Sequence, residues 1–449
     1  MKISSITIER LFGLYSYSIP EIDKDICLIT SPNGYGKTTI LYIINNLCKG
    51  YLFYFYNLPF KTIRIKFENE LEIVIEKHKT AIESNSEDTD SVIDEDTYVI
   101  FKWINGNGEK SFHIDGKMIR RVLRIMKHQL SISEEMINDL GNYKLAEIVT
   151  CNNDFYKELA KPSELYKEFQ LMLHSLISYF IPANRIYNDH SNIVENDSYR
   201  IFFGGSRRIV TEEEKLSPIK NISNEFKEML SSSRFRYLVA SRRDEDEFIN
   251  SLLKSDKEYE EEDYNEKVRE ITLKNELLIK YGLNSTIKFP EYNKKDIRII
   301  SAYLDETIKR LAEYDPILEK LELFSDLLNE KHFANKFFTF SLNYGIRCFN
   351  DNKTYIDLDL LSSGEKNQII LLYDLIFRIN DNSILLLDEP ENSLHVAWQR
   401  MFSEDIALIA ENKNLQAVIT THSSRIVANA KEKAWDLFYL NKEFENYEE

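Results

Sequence analysis

The chain contains 449 residues, of which 43% are apolar and 29% are charged. This length and composition are typical of a globular protein with a full hydrophobic core, and they exclude a chain that is disordered throughout. Lys and Arg number 57 and Asp and Glu 74, which gives a formal net charge of −17. A chain this acidic is unsuited to bind nucleic acid over its whole surface, although it leaves room for a local basic patch.

The N-terminal region and the cysteines indicate a cytoplasmic protein without a membrane anchor. Glu9 and Arg10 fall where a signal peptide needs a continuous apolar stretch. The aromatic segment 51–60 is shorter than the roughly 18 apolar residues of a membrane span and contains Pro59, so we expect it in the core rather than in a partner-binding patch. The widely spaced cysteines, without metal-ligand spacing, are expected to be reduced thiols; they are Cys27, Cys48, Cys151 and Cys348.

Alternating apolar and polar residues predict strands in the first part of the chain. Two short strands are expected over 2–11 and 25–30, and a helix is expected over 37–47. Further strands are expected over 62–79 and 97–114, the latter with a hairpin turn at its Asn-Gly pairs. The acidic stretch between them is predicted to be a loop.

The middle of the chain is predicted to be helical, with one buried strand near 175–187. Apolar residues recur at helical spacing from Ile297 to Leu321, and Pro316 predicts a bend or a break in that stripe. Strand patterns return over 336–346 and 354–361. Strands at the two ends of the chain therefore bracket a helical middle.

Residues 31–38, SPNGYGKT, lie between a predicted strand and a predicted helix. This is the phosphate-loop pattern G-x-x-x-x-G-K-[ST] with Ser31 at the first glycine position. Glycines let the main chain approach a polyphosphate, Lys37 supplies a charge for the β- and γ-phosphates, and Thr38 can ligate Mg²⁺. Ser31 departs from this pattern, because a residue with a side chain restricts the turn, although a small one can fit. The predicted nucleotide-binding residues are Ser31, Asn33, Gly34, Tyr35, Gly36, Lys37, Thr38 and Thr39.

Two further strand ends carry polar residues that suit the same chemistry. The apolar run 384–387 ends in Asp388 and Glu389, which predicts a Mg²⁺ ligand and a general base for the attacking water, respectively. The strand predicted over 415–420 precedes His422, a candidate contact to the γ-phosphate. The cofactors expected from these residues are ATP and Mg²⁺.

With these residues in place, the chain resembles ABC-class ATPases, because residues 361–366 (LSSGEK) are similar to the ABC signature. The resemblance implies an ATP sandwich in which the signature of one subunit caps the nucleotide on the phosphate loop of another, so a homo-oligomer is expected. It also implies that residues 391–395 form a loop that crosses the dimer interface. The signature residues are Ser362, Ser363, Gly364 and Glu365, of which Ser363 and Glu365 depart from the usual Gly and Gln.

The implied fold is α/β: an ABC-type ATPase head with an added antiparallel β lobe, split by a helical, partly coiled-coil insertion. We expect an N-terminal lobe over 1–115, the insertion over 116–335, and a C-terminal lobe over 336–449.

The motif residues are most similar to the OLD-like AAA ATPases of bacterial anti-phage defence, and among these to the ATPase subunit of PARIS systems. The stretch after His422 is too short for the Toprim nuclease domain of OLD proteins. The resemblance therefore implies an ATPase without its own nuclease domain, a separately encoded Toprim nuclease as partner, and a phage-encoded protein as a possible trigger.

Three alternatives stay open at this point. The first is a Septu-like ATPase with an HNH nuclease partner, the second a DNA-repair ATPase similar to RecF and Rad50, and the third a scaffold that binds ATP without hydrolysing it. Basic residues over 117–128 are a candidate contact for DNA or for an acidic protein. A second basic set could line a central cavity; it consists of Arg207, Arg208, Arg234, Arg236, Arg242 and Arg243. Solvated salt bridges explain them equally well, and the net charge favours a defence ATPase over a DNA-repair enzyme.

Overall fold

The computed structural model describes residues 1–79, 97–106, 108–119, 164–183, 217–243, 257–329, 333 and 335–441. The chain separates into two compact units, the first made of 1–185 and 379–449 and the second of 186–378. The boundaries expected at 115/116 and 335/336 stay predictions. The loop predicted over 83–96 lies outside the described residues.

The described residues of the first unit form two sheets and several helices. In chain order its elements are β1 (Ile3–Leu11), β2 (Tyr15–Ile19), β3 (Ile26–Thr30), α1 (Lys37–Cys48), α2 (Phe53–Asn57), β4 (Thr62–Phe67), β5 (Glu72–Lys79), β6 (Thr97–Asn105), β7 (Gly108–Asp115), α3 (Glu164–Leu173), β8 (Ser178–Ile181), β12 (Ile384–Asp388), α9 (Val396–Lys413), β13 (Gln416–Thr420), α10 (Ser424–Ala428) and β14 (Ala434–Asp436), with short 3₁₀ turns at Pro390–Ser393 and Lys431–Lys433.

A parallel five-stranded sheet in the order β14-β3-β13-β12-β8 forms the centre of this unit. Its inner strands are continuous apolar runs, and Leu385, Leu386 and Leu387 are fully buried. Such runs are expected where both faces of a parallel sheet are covered. Because β13 lies between β3 and β12, the carboxyl ends of these three strands meet at one edge of the sheet.

An antiparallel six-stranded sheet in the order β2-β1-β4-β5-β6-β7 lies in the same unit. The predicted Asn-Gly hairpin is confirmed, since Asn105 pairs with Gly108 between β6 and β7. The aromatic segment 51–60 contributes buried side chains to the core, so the prediction of a core segment is confirmed. Gln416 of the parallel sheet ties the two sheets together, because its amide accepts from the backbone N–H of Ile3 and donates to the carbonyl of Ile3.

The second unit is helical with one small sheet. Its elements are α4 (Pro218–Arg243), α5 (Glu261–Lys280), α6 (Ile297–Ala312), α7 (Asp315–Asn329), β9 (Lys336–Ser341), β10 (Gly345–Asn350), β11 (Tyr355–Ile356) and α8 (Ser363–Tyr373), with a 3₁₀ turn at Leu358–Leu360 and a π-helical turn at Asp374–Arg378. The predicted apolar stripe is divided between α6 and α7, and Pro316 lies in the first turn of α7. The predicted break is therefore confirmed, because proline fits a first helical turn but not a helix interior.

Three strand predictions needed correction. β2 falls where no strand was predicted, although Tyr15, Tyr17 and Ile19 alternate with serines at the strand period of two. The pattern over 336–346 is split into β9 and β10 by a turn over 342–344, and Gly345, the first residue of β10, has a φ of 75°. Only Tyr355–Ile356 is a strand in the stretch 354–361, and a 3₁₀ turn follows it.

The α/β class, with a parallel core sheet, an added antiparallel sheet and a helical region, is confirmed. Among the helices that the structure describes, none is both long enough and apolar enough to cross a lipid bilayer.

Candidate functional site

The loop between β3 and α1 is shaped by two glycines. Gly34 has a φ of 90° and Gly36 a φ of 79°, and side chains are disfavoured in this left-handed region. A Cβ atom on Gly36 would lie 2.9 Å from Cδ2 of Leu11, so the residue is also packed tightly against β1. Among the described residues, no side chain caps the α1 N-terminus at Gly36. The first turn of α1 therefore presents backbone N–H groups that suit an anion.

Ser31 fits the first position of this loop. It is buried, and its φ is not in the left-handed region, so the backbone here does not require glycine. Its hydroxyl donates to the carbonyl of Pro32 at 3.0 Å, and its own carbonyl accepts from Nζ of Lys37 at 3.1 Å. The turn therefore accommodates a residue as small as serine.

Aromatic residues of the antiparallel sheet support the loop from one side. The hydroxyl of Tyr17 donates to the carbonyl of Tyr35 at 2.7 Å, and the rings of Tyr15 and Tyr35 lie 5.0 Å apart. Phe438, beyond β14, packs its ring 5.8 Å from that of Tyr35. These supports were not predicted, because contacts between side chains of different elements form only when the chain folds.

Lys37 is buried beside a group of acids. Burial lowers the pKa of its ammonium group, while Glu389, Asp388, Glu391 and Asp436 oppose that shift. Its Nζ contacts backbone and side-chain oxygens of Ser31 and the carbonyl of Pro32. Glu391 and Asp436 were not predicted as neighbours of this lysine, and Asp436 reaches it only because β14 joins the sheet next to β3.

Thr38 and Asp388 are in direct contact. Oγ1 of Thr38 donates to the two carboxylate oxygens of Asp388 at 3.0 and 3.1 Å. Thr420, the register partner of Asp388 on β13, donates to the same carboxylate at 2.6 Å. Burial is the largest influence on Asp388 and raises its pKa, and the hydrogen bonds from Thr420 and Thr38 oppose that rise. Hydroxyl and carboxylate oxygens are the donors that Mg²⁺ prefers.

Glu389 stands at the turn directly after β12 in an unusual conformation. Its φ of 42° is in the left-handed region, which is uncommon for a residue other than glycine and occurs often at functional sites. Its carboxylate accepts from Nδ2 of Asn392 at 2.8 Å and lies 3.5 Å from Nε2 of His422. His422 is exposed, and its backbone N–H donates to the carboxylate of Glu391. The acids and the histidine therefore share one edge of the sheet.

The remaining predicted site residues are placed as follows. Asn33 is exposed in the loop, and Thr39 is half-buried in the first turn of α1. Residues 391–395 include most of the 3₁₀ turn and the N-cap of α9, His395, whose Nδ1 accepts from the backbone N–H of Ala397 at 3.3 Å. The signature residues Ser362, Ser363, Gly364 and Glu365 lie in the second unit, at the N-terminus of α8.

The predicted basic surfaces are described only in part. Residues 120–128, Arg207 and Arg208 lie outside the described residues, as does Cys151. Arg234 and Arg236 are exposed on α4, and Arg236 donates to Oγ of Ser233 at 3.1 Å. The three other cysteines, Cys27, Cys48 and Cys348, are free and buried.

Comparison with known proteins identifies a family. The model of the AAA ATPase domain matches residues 1–427. A search of curated proteins gave no match.

Three solved structures are similar over most of their length, at low identity. An Smc head bound to the C-terminal winged-helix domain of ScpA is 12% identical, with 96% of this chain and 92% of that chain covered and a TM-score of 0.33. An Smc head with an extended coiled coil, bound to the C-terminal domain of ScpA and derived from Pyrococcus furiosus, is 15% identical. The match covers 95% of this chain and 91% of that chain, with a TM-score of 0.31. The SMC head domain from Thermotoga maritima is 11% identical, with 97% of this chain and 92% of that chain covered and a TM-score of 0.32.

The family match extends from the antiparallel sheet through the phosphate loop, the signature region and the strand-end acids to the histidine at position 422. This protein therefore belongs to the AAA ATPase domain family.

Proposed function

We propose that this chain binds and hydrolyses ATP with Mg²⁺, and that two copies close on the nucleotide as ABC-type heads do. The contact between Oγ1 of Thr38 and the carboxylate of Asp388 carries the proposal. It brings the helix that follows the phosphate loop to the acid at the end of β12, although these residues are remote in the chain. Phosphoryl transfer needs this pairing of a phosphate cradle with a metal-binding carboxylate.

The loop would hold the polyphosphate through charge and dipoles. Its left-handed glycines and the uncapped N–H groups of α1 suit phosphate oxygens. Lys37, now in contact with carbonyl and hydroxyl oxygens of Ser31, would exchange them for β- and γ-phosphate oxygens. Burial of this lysine strengthens its attraction to an anion, because fewer waters screen the charge.

Thr38 and Asp388 would hold Mg²⁺ together with phosphate oxygens. One hydroxyl and one carboxylate do not complete an octahedral shell, which agrees with the preference of Mg²⁺ for few protein ligands plus phosphates and water. When bound, the ion neutralises charge that develops on the transferred phosphoryl group.

Glu389 would orient and deprotonate the attacking water. Its carboxylate stands at the same sheet edge as Asp388 and is held by Asn392, with the ring of His422 3.5 Å away. His422 would contact the γ-phosphate and report its presence. Both roles need the protein to place the groups before the reaction, which is the main source of catalysis in phosphoryl transfer.

The signature would act on the nucleotide of a second copy. Ser362 and Ser363 are exposed at the N-terminus of the eleven-residue helix α8, where backbone N–H groups suit an anion. The γ-phosphate is the group that distinguishes the joined state from the separated state, so hydrolysis would release the two copies.

Single-turnover hydrolysis tests this function. Lys37→Ala is expected to lose ATP binding by at least about 100-fold while its thermal unfolding stays close to that of the wild type. Glu389→Gln is expected to bind ATP normally and to hydrolyse it at least about 100-fold more slowly. Unchanged ATP affinity in Lys37→Ala would remove the phosphate-loop assignment. If neither the wild type nor Glu389→Gln hydrolyses bound ATP, the chain is a nucleotide-dependent scaffold instead.

In the cell, we place this ATPase in an anti-phage defence complex, where it restrains a separately encoded Toprim nuclease and releases it after a phage protein is sensed. The support is the similarity of the motif residues to defence ATPases, together with the acidic charge of the chain. Co-purification with the product of a neighbouring nuclease gene, with and without ATP, tests the partner. An HNH nuclease in that position would favour the Septu-like alternative.

A further inference from the structure

Glu365 of the signature is turned inward. Its side chain is only 10% exposed, and one carboxylate oxygen accepts from Nζ of Lys336 at 2.6 Å. Lys336 is the first residue of β9, and its side chain is 22% exposed. The pairing of β9 with β10 fixes this lysine, whose backbone N–H also donates to the carbonyl of Phe333.

The other oxygen of Glu365 holds the start of α8. Oε2 accepts from the backbone N–H of Ser362 at 2.8 Å and from its hydroxyl at 2.9 Å. Oγ of Ser362 accepts in return from the backbone N–H of Glu365 at 3.3 Å, which completes a capping box. Ser362 and Ser363 stay exposed at the helix N-terminus. Glu365 therefore shapes the signature from behind and does not point at an outside ligand.

A carboxylate in this place creates an electrostatic problem for the proposed function. The signature would meet the γ-phosphate of a second copy, and an unpaired acid one turn away would repel it. Burial opposes ionisation of Glu365, but hydrogen bonds from Lys336 and Ser362 outweigh burial and lower its pKa. The acid is therefore charged at neutral pH, and its compensation comes from Lys336.

We propose that Lys336 is a positioning residue of the signature: it neutralises Glu365 and locks it as the cap of Ser362, so that an acidic signature can accept the nucleotide of a second copy. This inference rests on the proposed function. It assigns a role to a residue on a strand that no nucleotide-binding motif contains.

The test compares the two single neutral variants with each other. Lys336→Met leaves the signature one negative charge richer, whereas Glu365→Gln leaves it one positive charge richer and keeps a residue that completes a capping box. We expect Lys336→Met to weaken ATP-dependent self-association by at least about tenfold and Glu365→Gln to retain or strengthen it. The double variant Lys336→Met with Glu365→Gln is expected to return to wild-type association, and Lys336→Arg to stay close to it.

Controls separate this role from a loss of folding. Binding of a fluorescent ATP analogue to the dilute, monomeric protein should be equal in all variants, because the phosphate loop is untouched. Lys274→Met, which breaks an ion pair with Asp315 in the same unit, should leave self-association unchanged. Thermal unfolding of each variant is recorded alongside.

The outcomes are distinct. If Lys336→Met and Glu365→Gln lose self-association equally and in proportion to their lowered unfolding temperatures, the pair is only a structural salt bridge. That result would overturn this inference but leave the proposed function intact. A wild type that binds ATP but never self-associates with it would overturn the two-copy part of the proposed function, and this inference with it.

Discussion

At the scale of single residues, the phosphate loop shows which side chains its backbone tolerates. Ser31 and Gly36 both occupy glycine positions of the phosphate-loop pattern, but only Gly36 has a left-handed φ. Gly36 also has Leu11 within 2.9 Å of the place where a Cβ would be, whereas the hydroxyl of Ser31 finds the carbonyl of Pro32. The two positions therefore differ in what they demand, although the pattern treats them alike.

This difference gives a matched pair of substitutions. Gly36→Ala is expected to weaken ATP binding by roughly tenfold, because a left-handed φ costs about 1–2 kcal/mol for a residue with a Cβ and the loop relaxes away from its binding shape. Ser31→Gly should stay within about twofold of the wild type. Titration with a fluorescent ATP analogue measures both, and an equal loss in the two variants would contradict the assignment of strain to Gly36.

At the scale of elements, one carboxylate ties the start of the phosphate-loop strand to the far end of the chain. Asp23 precedes β3, and its Oδ1 accepts from the backbone N–H groups of Asp25 and Ile26 at 2.9 and 3.1 Å. The same oxygen accepts from Nζ of Lys433, just before β14, at 3.1 Å. β3 and β14 are neighbours in the sheet, so this contact helps to hold the edge strand that carries Asp436 toward Lys37.

Asp23→Asn is expected to lower the free energy of unfolding by about 0.5–1 kcal/mol at pH 7, because a partly exposed charge-assisted contact becomes neutral. Burial raises the pKa of Asp23, but the hydrogen bonds and Lys433 outweigh it and lower the pKa overall. A carboxyl whose pKa is lower in the folded state stabilises the fold above its ordinary pKa of 3.8 and loses that effect as the pH falls through the lowered value.

Urea unfolding of the wild type and Asp23→Asn at several pH values checks this. The difference between the two proteins should be full near pH 7 and shrink as the pH falls below the ordinary range of an aspartate. Asp25→Asn is a suitable control, since the carboxylate of Asp25 is more exposed and its ion pair with Lys2 is longer, at 3.5 Å. A difference that grows in acid would contradict the prediction.

At the scale of the whole molecule, the residues proposed to act on the nucleotide are divided between two units. The loop, the strand-end acids and the histidine belong to the first unit, and the signature belongs to the second. The second unit also contains the helices α4 to α7, and α7 contacts β9, since Asn329 at the end of α7 accepts from the backbone N–H of Phe338 at 3.0 Å. A partner bound to these helices would therefore act on the same unit that carries the signature.

The net charge of −17 predicts weak binding to DNA. We expect the isolated, ATP-loaded chain to bind duplex DNA no more tightly than about 10⁻⁶ M at physiological salt, which is typical of non-specific contacts. Fluorescence anisotropy over a salt series measures the affinity and the number of phosphates neutralised. Tight binding with a steep salt dependence would favour the DNA-repair alternative over a defence ATPase.

The residues of the candidate site are mostly local in sequence, and this is why they could be predicted. A phosphate loop needs a strand, a glycine-containing turn and a helix in immediate succession, and residues 26–48 contain all three. A buried parallel strand is a short apolar run, so β12 and the acids at its end could be predicted from the amino-acid sequence. The helix break at Pro316 and the hairpin at Asn105 have equally local causes.

Tertiary structure decided everything that depends on which strands become neighbours. The placement of β13 between β3 and β12 brings Thr420 to Asp388, and the addition of β14 brings Asp436 toward Lys37. The hydrogen bond from Tyr17 to Tyr35 and the ion pair between Lys336 and Glu365 also join different elements of the fold. Pairing between distant segments leaves no periodic pattern in a single sequence, because its energy lies in contacts that exist only after the chain has folded.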